Sequence, residues 1–151
     1  MEGFEVTKIG KHIFCILDAG NSSFYMVEGD KKAAVIDTGI TTGKKITPLL
    51  RELTDKPLLL VATHVHCDHI YHMDEFEEVY MCHDEKKIEE TTLRTLTAGR
   101  LKPWDEIHDI HTDSVISLGG TELRICQVPG HTPGSIVILE TRENYLFTGD
   151  A

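Results

Sequence analysis

The chain has 151 residues and a mass of 17.0 kDa, and 40% of its residues are hydrophobic. This size and composition suit one domain with a buried core and disfavour a disordered chain. The formal net charge is −10, so the surface repels nucleic-acid backbones and anionic lipid, and we expect neither as a partner.

The N-terminal part of the chain alternates apolar segments with turn-forming residues. Gly10 and Lys11 form one short turn signal, and residues 28–31 form a second. Strands are predicted on either side of these turns, at residues 4–9, 12–17, 23–27 and 33–36. We therefore expect two hairpins at the start of the fold.

A helix and a buried strand are predicted next. Thr41 or Thr42 is the predicted N-cap of the helix. Its apolar side chains recur at i, i+3, i+4 and i+7, which gives the helix one apolar face; they are Ile46, Leu49, Leu50 and Leu53. Residues 58–62 form a short, fully apolar run after Pro57, which is typical of a strand buried on both faces.

The second half of the chain contains one more predicted helix and several short strands. The helix extends from His83 to about Leu96, and the strands cover residues 79–82, 115–118, 122–128, 136–139 and 145–147. Gly119 and Gly120 are a hairpin signal between two of these strands. The order of elements predicts a mixed α/β domain with one sheet. Helices are expected on one face of this sheet, and its other apolar face must also be covered by some part of the protein.

We expect neither a secretory signal nor a membrane span from this sequence. No basic start followed by an apolar run is seen at residues 1–5, and no apolar run exceeds that at residues 58–62, which is too short to span a bilayer. The four cysteines have no CxxC spacing. A reduced, cytoplasmic protein is the expectation.

Histidines cluster directly after the buried strand, where residues 63–69 read Thr-His-Val-His-Cys-Asp-His. His64 and His66 point the same way if the strand alternation continues, and a following helical turn brings Asp68 and His69 round to the same space. Imidazole and carboxylate donors gathered in one place suit zinc, iron or manganese. This string therefore predicts a metal site.

Two further segments accompany this string. His131 lies in a loop that two prolines and two glycines make rigid, Pro-Gly-His-Thr-Pro-Gly-Ser at residues 129–135. Asp150 lies in the sequence Thr-Gly-Asp near the end of the chain. With the Ile-Asp-Thr-Gly turn at residues 36–39, these motifs follow one another in an order that resembles the metallo-β-lactamase superfamily along nearly the whole chain.

The resemblance implies a fold and a set of roles. It implies an α/β/β/α sandwich with the metal site at one edge, between two sheets. The first metal is expected on His64, His66 and His131, the second on Asp68 and His69, with Asp150 bridging both. Asp37 is expected to hold the ligand loop in place without binding metal.

The resemblance also implies the chemistry. Zn²⁺, expected as two ions with iron or manganese as alternatives, lowers the pKa of a shared water, and the resulting metal-bound hydroxide attacks the substrate. Asp68 is the expected catalytic residue that orients this water and handles its proton. The Asp-His pair after His-x-His is closer to the glyoxalase II and lactonase branches than to the true β-lactamases. We therefore expect a small-molecule ester, thioester or lactone as the substrate.

Two departures from the family pattern qualify this interpretation. Family members continue past the Thr-Gly-Asp string and supply a late histidine to the second metal. Residues 1–151 are therefore interpreted as one metallo-β-lactamase-like domain that is incomplete at its C-terminus, completed by further sequence or by another chain. Tyr71 and His72 stand where many relatives have small residues, so they are candidates for substrate contact, or His72 for a substitute ligand, although packing or exposure is the favoured interpretation of both.

Two other functional classes stay open. Sulfur (persulfide) dioxygenases of the same superfamily keep the His-x-His-x-Asp-His string and bind a single iron. A non-catalytic metal-binding fragment completed by another chain is the other alternative. Metal content separates these possibilities, because zinc favours hydrolysis and a single iron favours oxygen chemistry.

Overall fold

The computed structural model describes residues 3–151, and its larger sheet is formed by the first seven strands of the chain. Its strands lie in the sheet in chain order: β1 Phe4–Lys8, β2 Ile13–Asp18, β3 Ser23–Glu28, β4 Ala33–Ile36, β5 Leu58–Val61, β6 Glu78–Met81 and β7 His108–Asp109. Strands β1 to β4 pair antiparallel, whereas β4 to β7 pair parallel. The predicted N-terminal hairpins are confirmed.

A second, smaller sheet is formed by the C-terminal strands. These are β8 Val115–Ser117, β9 Glu122–Gln127, β10 Ile136–Glu140 and β11 Tyr145–Phe147, and neighbours pair antiparallel. The prediction of a single sheet is wrong. Alternate side chains such as Ile116, Leu123 and Ile138 bury one face of the small sheet against the larger one, and this apolar face supplies the cover that the large sheet needs.

The helices lie on the opposite face of the large sheet. They are α1 Thr47–Leu53, α2 Cys67–Ile70 and α3 Glu90–Leu96. Leu49, Leu50 and Ile70 share one buried cluster with large-sheet residues such as Val35 and Leu60. The predicted apolar face of α1 is confirmed. The molecule therefore has three layers in the order helices, large sheet and small sheet.

The start of α1 differs from the prediction. The helix begins at Thr47, so neither Thr41 nor Thr42 is its N-cap. The amide nitrogens of Ile46 and Thr47 donate to the carboxylate of Glu75, at 3.2 and 2.9 Å. A side chain distant in sequence thus satisfies the free N–H groups that a local threonine was expected to bind.

The helix predicted from His83 to Leu96 is also wrong, because it is interrupted. Residues His83–Lys87 form a 3₁₀ turn, and Ile88 has an extended backbone (φ −72°, ψ 134°). The carboxylate of Glu89 then accepts from the amides of Thr91 and Thr92, at 3.0 Å each, which starts α3 as a separate helix. Ile88 packs against the core between helices and sheet.

The two sheets are joined at one edge of the molecule. The amide of Ile136, at the start of β10, donates to the carbonyl of Thr63, 3.0 Å away and just after β5. This bond places the loop after β5 beside the loop between β9 and β10. Within residues 3–151, the helices are all too short or too polar to cross a lipid bilayer.

Candidate metal centre

Four side chains from three loops point their donor atoms at one space. They are His64, His66, His131 and Asp150, whose ligand-type atoms all lie within 4.8 Å of one another. Nε2 of His131 is 3.0 Å from Nδ1 of His66 and 3.3 Å from Oδ2 of Asp150. Loops from both sheets therefore bring these four predicted ligands together at one point, and metal binding by them stays a prediction.

His64 is oriented by a chain of hydrogen bonds that begins at Asp37. The hydroxyl of Thr63 donates to Oδ2 of Asp37 at 2.8 Å, and it lies 3.1 Å from Nδ1 of His64. Because the hydroxyl proton is already used, Nδ1 of His64 is the donor in the second contact. Nε2 of His64 then carries a lone pair and faces the space shared by the four side chains.

The surroundings of Nε2 of His64 show whether the site fits a cation. Nε2 of His64 is buried, and within residues 3–151 it has no hydrogen-bond partner. Burial, together with the charges of His69, His66 and His131, lowers the pKa of His64 to about 2. A neutral imidazole with an unused buried lone pair suits a metal ligand. We conclude that the donor set fits a divalent cation.

The loop that carries His131 is internally bonded. The amide of Val128 donates to the carbonyl of Ser135 at 2.8 Å, and the amide of Thr132 donates to Oγ of Ser135 at 3.0 Å. These bonds close the loop around His131, whose side chain is 36% exposed. His66 contacts His131, and its pKa is lowered by burial and by the neighbouring charge of His131.

Asp150 follows β11 and lies between two groups of histidines. One of its carboxylate oxygens is 3.4 Å from Nε2 of His69, and the other is 3.9 Å from Nε2 of His64. Gly149 before it has a positive φ of 55°, and a Cβ there would lie 2.5 Å from Oγ1 of Thr63. Close approach of the backbone to Thr63 thus holds Asp150 beside His64, His69 and His131, and its role as a bridging ligand stays a prediction.

Asp68 and His69 lie on α2, beside the group of four. Oδ2 of Asp68 is 3.5 Å from Nε2 of His69. Burial opposes the charged form of His69, but the hydrogen bond to Asp37 and the charges of Asp37, Asp68 and Asp150 outweigh it and raise the pKa. The predicted helical turn after His66 is confirmed, and it brings both side chains toward Asp150.

Tyr71 and His72 lie outside the group of four. The Tyr71 hydroxyl accepts a hydrogen bond of 2.8 Å from Arg100, whose guanidinium also lies 4.1 Å from the ring centroid. Nδ1 of His72 donates to Glu75 at 2.8 Å, and Nε2 is buried with no hydrogen-bond partner in the described part of the chain. Their assignment to the substrate side stays a prediction.

A residue that the sequence analysis did not single out also borders the site. Glu85 is fully buried and accepts hydrogen bonds from Val65 and Thr132, next to the ligand histidines. Burial raises the pKa of its carboxyl, against the hydrogen bonds and the charge of His131. Glu85 follows the carboxyl end of β6, which is parallel to β5. Loops at the carboxyl ends of parallel strands meet at one edge of a sheet, so this position was the only sequence signal that Glu85 lies near the histidines.

A cavity of about 420 Å³ opens beside Asp68, His69 and Asp150. Part of its wall is aromatic, formed by Tyr145 and by the contacting rings of Tyr25 and Phe147, whose centroids are 5.0 Å apart. The polar part includes Asn21, Ser22 and Ser23. The cluster therefore borders a space large enough for part of a small organic molecule.

Comparison with known proteins gives a family and several relatives. The family model described as the metallo-beta-lactamase superfamily matches residues 17–151. The human acyl-coenzyme A thioesterase MBLAC2 is 28% identical, over 99% of this chain and 67% of its own length. The probable metallo-hydrolase YqgX of Bacillus subtilis is 30% identical, over 83% of this chain and 64% of its own length. The chain thus spans about two thirds of the length of these curated relatives.

Solved structures with the same fold confirm the predicted fold class. BJP-1, a subclass B3 metallo-beta-lactamase of Bradyrhizobium japonicum, superposes with a TM-score of 0.73 at 20% identity, over 96% of this chain and 62% of that one. ST1585 from Sulfolobus tokodaii gives a TM-score of 0.63 at 22% identity, over 85% of this chain and 57% of that one.

Proposed function

The chain belongs to the metallo-beta-lactamase superfamily, and from that premise we propose that it is a metal-dependent hydrolase of small acyl thioesters. The observation that carries the proposal is the set of four donor side chains within 4.8 Å, together with the buried, unpartnered Nε2 of His64 in the described residues. His64, His66 and His131 are the proposed ligands of a first Zn²⁺. Asp68 and His69 are proposed for a second, and Asp150 for both.

A divalent cation held by these residues would supply a water of lowered pKa and would polarise the carbonyl of the substrate. The chain's own residues then have separate tasks. Asp37 keeps Nδ1 of His69 occupied, so that Nε2 of His69 faces Asp68 and Asp150. The bond from Ile136 to Thr63 holds the loops from the two sheets together at the site.

Asp68 is the proposed catalytic residue. Its side chain is 41% exposed and lines the cavity beside His69. A carboxylate in that position orients an attacking water and accepts its proton. The adjoining cavity, with its aromatic wall, is proposed to receive the acyl part of the substrate.

The thioester proposal draws on two independent supports. One is the name of the human relative, acyl-coenzyme A thioesterase MBLAC2. The other is the Asp-His pair at residues 68–69, which resembles the glyoxalase II branch, whose substrates are thioesters. A net charge of −10 supports a small-molecule substrate over nucleic acid.

The test is thiol release from acyl-coenzyme A esters of short and long chain, followed with a chromogenic disulfide reagent. We expect zinc-dependent release that stops with EDTA and returns with Zn²⁺. Asp68→Asn should reduce kcat about 10²-fold or more, as loss of a general base does. His111→Ala is the matched control, since His111 is an exposed histidine that does not belong to the cluster.

Three results would contradict the proposal. Thiol release that survives both EDTA and the Asp68→Asn substitution would remove the metal centre from the reaction. Oxygen consumption with a persulfide, by protein that binds one iron and does not hydrolyse thioesters, would favour the dioxygenase alternative. Zinc binding without turnover of any thioester would favour a metal-binding fragment.

A further inference from the structure

Glu85 is a buried carboxylate in a position that the proposed chemistry does not use. It lies in the 3₁₀ turn His83–Lys87 and is 0% exposed. A carboxylate is costly to bury unless donors reach it. Here its Oε1 atom accepts two hydrogen bonds, from the amide of Val65 at 3.2 Å and from the hydroxyl of Thr132 at 2.6 Å.

These two donors belong to the two loops that carry the three candidate histidine ligands. Val65 stands between His64 and His66, and Thr132 follows His131. The first loop extends from the large sheet and the second from the small sheet. One carboxylate oxygen is therefore bonded to both sides of the site.

The His131 loop is also packed tightly against the same side chain. A Cβ on Gly134 would lie 2.7 Å from Cγ and 2.9 Å from the amide nitrogen of Glu85. No side chain fits at position 134 without displacing Glu85. The His131 loop therefore contacts Glu85 at Gly134 as well as through the hydrogen bond from Thr132.

We infer that Glu85 is a positioning residue of the metal centre, which fixes the separation of the His64–His66 pair from His131 by accepting from Val65 and Thr132 on one oxygen. It acts through these two residues and touches no metal. This inference rests on the proposed function, because it requires the three histidines to be ligands. Groups that hold ligands in place change metal affinity typically 10–100-fold when removed.

A purely structural role is the competing explanation, and the chain offers a matched control. Glu140 is also buried, at 1% exposure, and it accepts from the hydroxyl of Thr121 and from the amides of Arg142 and Glu143 at 2.9 and 2.8 Å. It lies at the end of β10 away from the His131 loop. Replacing either glutamate removes a buried acceptor, but only Glu85 bonds to the ligand loops.

The experiment measures Zn²⁺ affinity of the 151-residue chain by competition with a chromophoric chelator, and the visible spectrum of the Co²⁺-loaded protein. The variants are Glu85→Ala, Glu85→Gln and Glu140→Ala, each checked for folding by thermal unfolding in EDTA. We expect Glu85→Ala to weaken Zn²⁺ binding about 10–100-fold and to change the Co²⁺ spectrum. Glu85→Gln, which keeps an oxygen acceptor, should restore most of the affinity, and Glu140→Ala should lower only the melting temperature.

The outcomes separate failure of this inference from failure of the proposed function. Unaltered protein that binds no Zn²⁺ overturns both. Normal Zn²⁺ affinity in Glu85→Ala, with binding by the unaltered protein, overturns only the role of Glu85. Equal losses in Glu85→Ala and Glu140→Ala, or no rescue by Glu85→Gln, also contradict positioning through the acceptor oxygen.

Discussion

Oδ2 of Asp37 lies 2.8 Å from Nδ1 of His69, although 31 residues separate the two in the chain. The same carboxylate accepts from the amide of Thr63 at 2.7 Å and from its hydroxyl at 2.8 Å. Asp37 has a positive φ of 61°, a conformation that aspartate adopts more readily than most residues. One side chain thus anchors both ends of the segment that contains His64, His66 and Asp68.

Replacing Asp37 by Asn should lower the pKa of His69. The hydrogen bond and charge of Asp37 raise this pKa against the effect of burial, so burial prevails once the charge is removed. Asparagine also tolerates the positive φ, which limits strain. NMR titration of the His69 imidazole in metal-free protein measures the effect, with exposed Asp55→Asn as the control. An unchanged pKa in the Asp37→Asn protein would show that Asp37 does not act on His69.

Replacing Glu75 by Ala should destabilise the fold by about 1–3 kcal/mol, because two amides at the start of α1 and Nδ1 of His72 lose their acceptor. Urea unfolding checks this value. Glu52→Ala, an exposed position on the same helix, should change stability by less than about 0.5 kcal/mol. Equal effects of the two substitutions would contradict the capping role of Glu75.

The sequence predicted the parts of the site whose geometry is local. The His-x-His-x-Asp-His string lies at the end of a recognisable buried strand, so alternation and a helical turn are enough to bring its side chains together. Resemblance to a family added His131 and Asp150, which no periodicity links to that string. The strands of the small sheet were also predicted from their own patterns.

The parts that were missed depend on tertiary contacts. Strand patterns show which face is apolar, but they do not show whether two sets of strands share one sheet or stack as two. Glu75 caps α1 from about 28 residues away, and Glu85 bonds to Thr132 across 47 residues. Contacts of this kind leave no spacing rule in the sequence, so a local threonine and a continuous helix were predicted instead.

Acid should lower the free energy of unfolding in part by protonating the carboxylate of Asp18. Burial raises the pKa of its carboxyl, but amide donors from Ile40, Ser22 and Gly20 outweigh this and lower it below the ordinary value of 3.8. The stabilising contribution is therefore complete above about pH 4 and is lost as the pH falls through the lowered pKa.

The check is urea unfolding of Asp18→Asn at pH 7 and in steps below pH 4. We expect a loss of about 1–3 kcal/mol at pH 7, because asparagine has a single acceptor oxygen. If that oxygen accepts from Gly20 and Ser22, the NH2 group faces the Ile40 amide and cannot accept from it. The difference from the unaltered protein should shrink with acidification. A difference that is constant with pH would contradict the linkage, and exposed Asp74→Asn serves as the control.

Metal binding should stabilise the folded chain. A ligand that binds only the native state at 100 times its Kd adds about 2.7 kcal/mol. We expect Zn²⁺ to raise the melting temperature and EDTA to reverse the change. The shift should be lost in His131→Ala and kept in His111→Ala. An equal shift in all three proteins would place the binding site elsewhere.

Native mass spectrometry combined with elemental analysis tests the central claim most directly, because it counts the metal ions on each chain and identifies them. The account predicts bound zinc in the unaltered protein, and loss of that zinc when His64 and His131 are both replaced by alanine. Zinc content that is the same in the unaltered and doubly substituted proteins, or unaltered protein that takes up no metal from a Zn²⁺ solution, would contradict it.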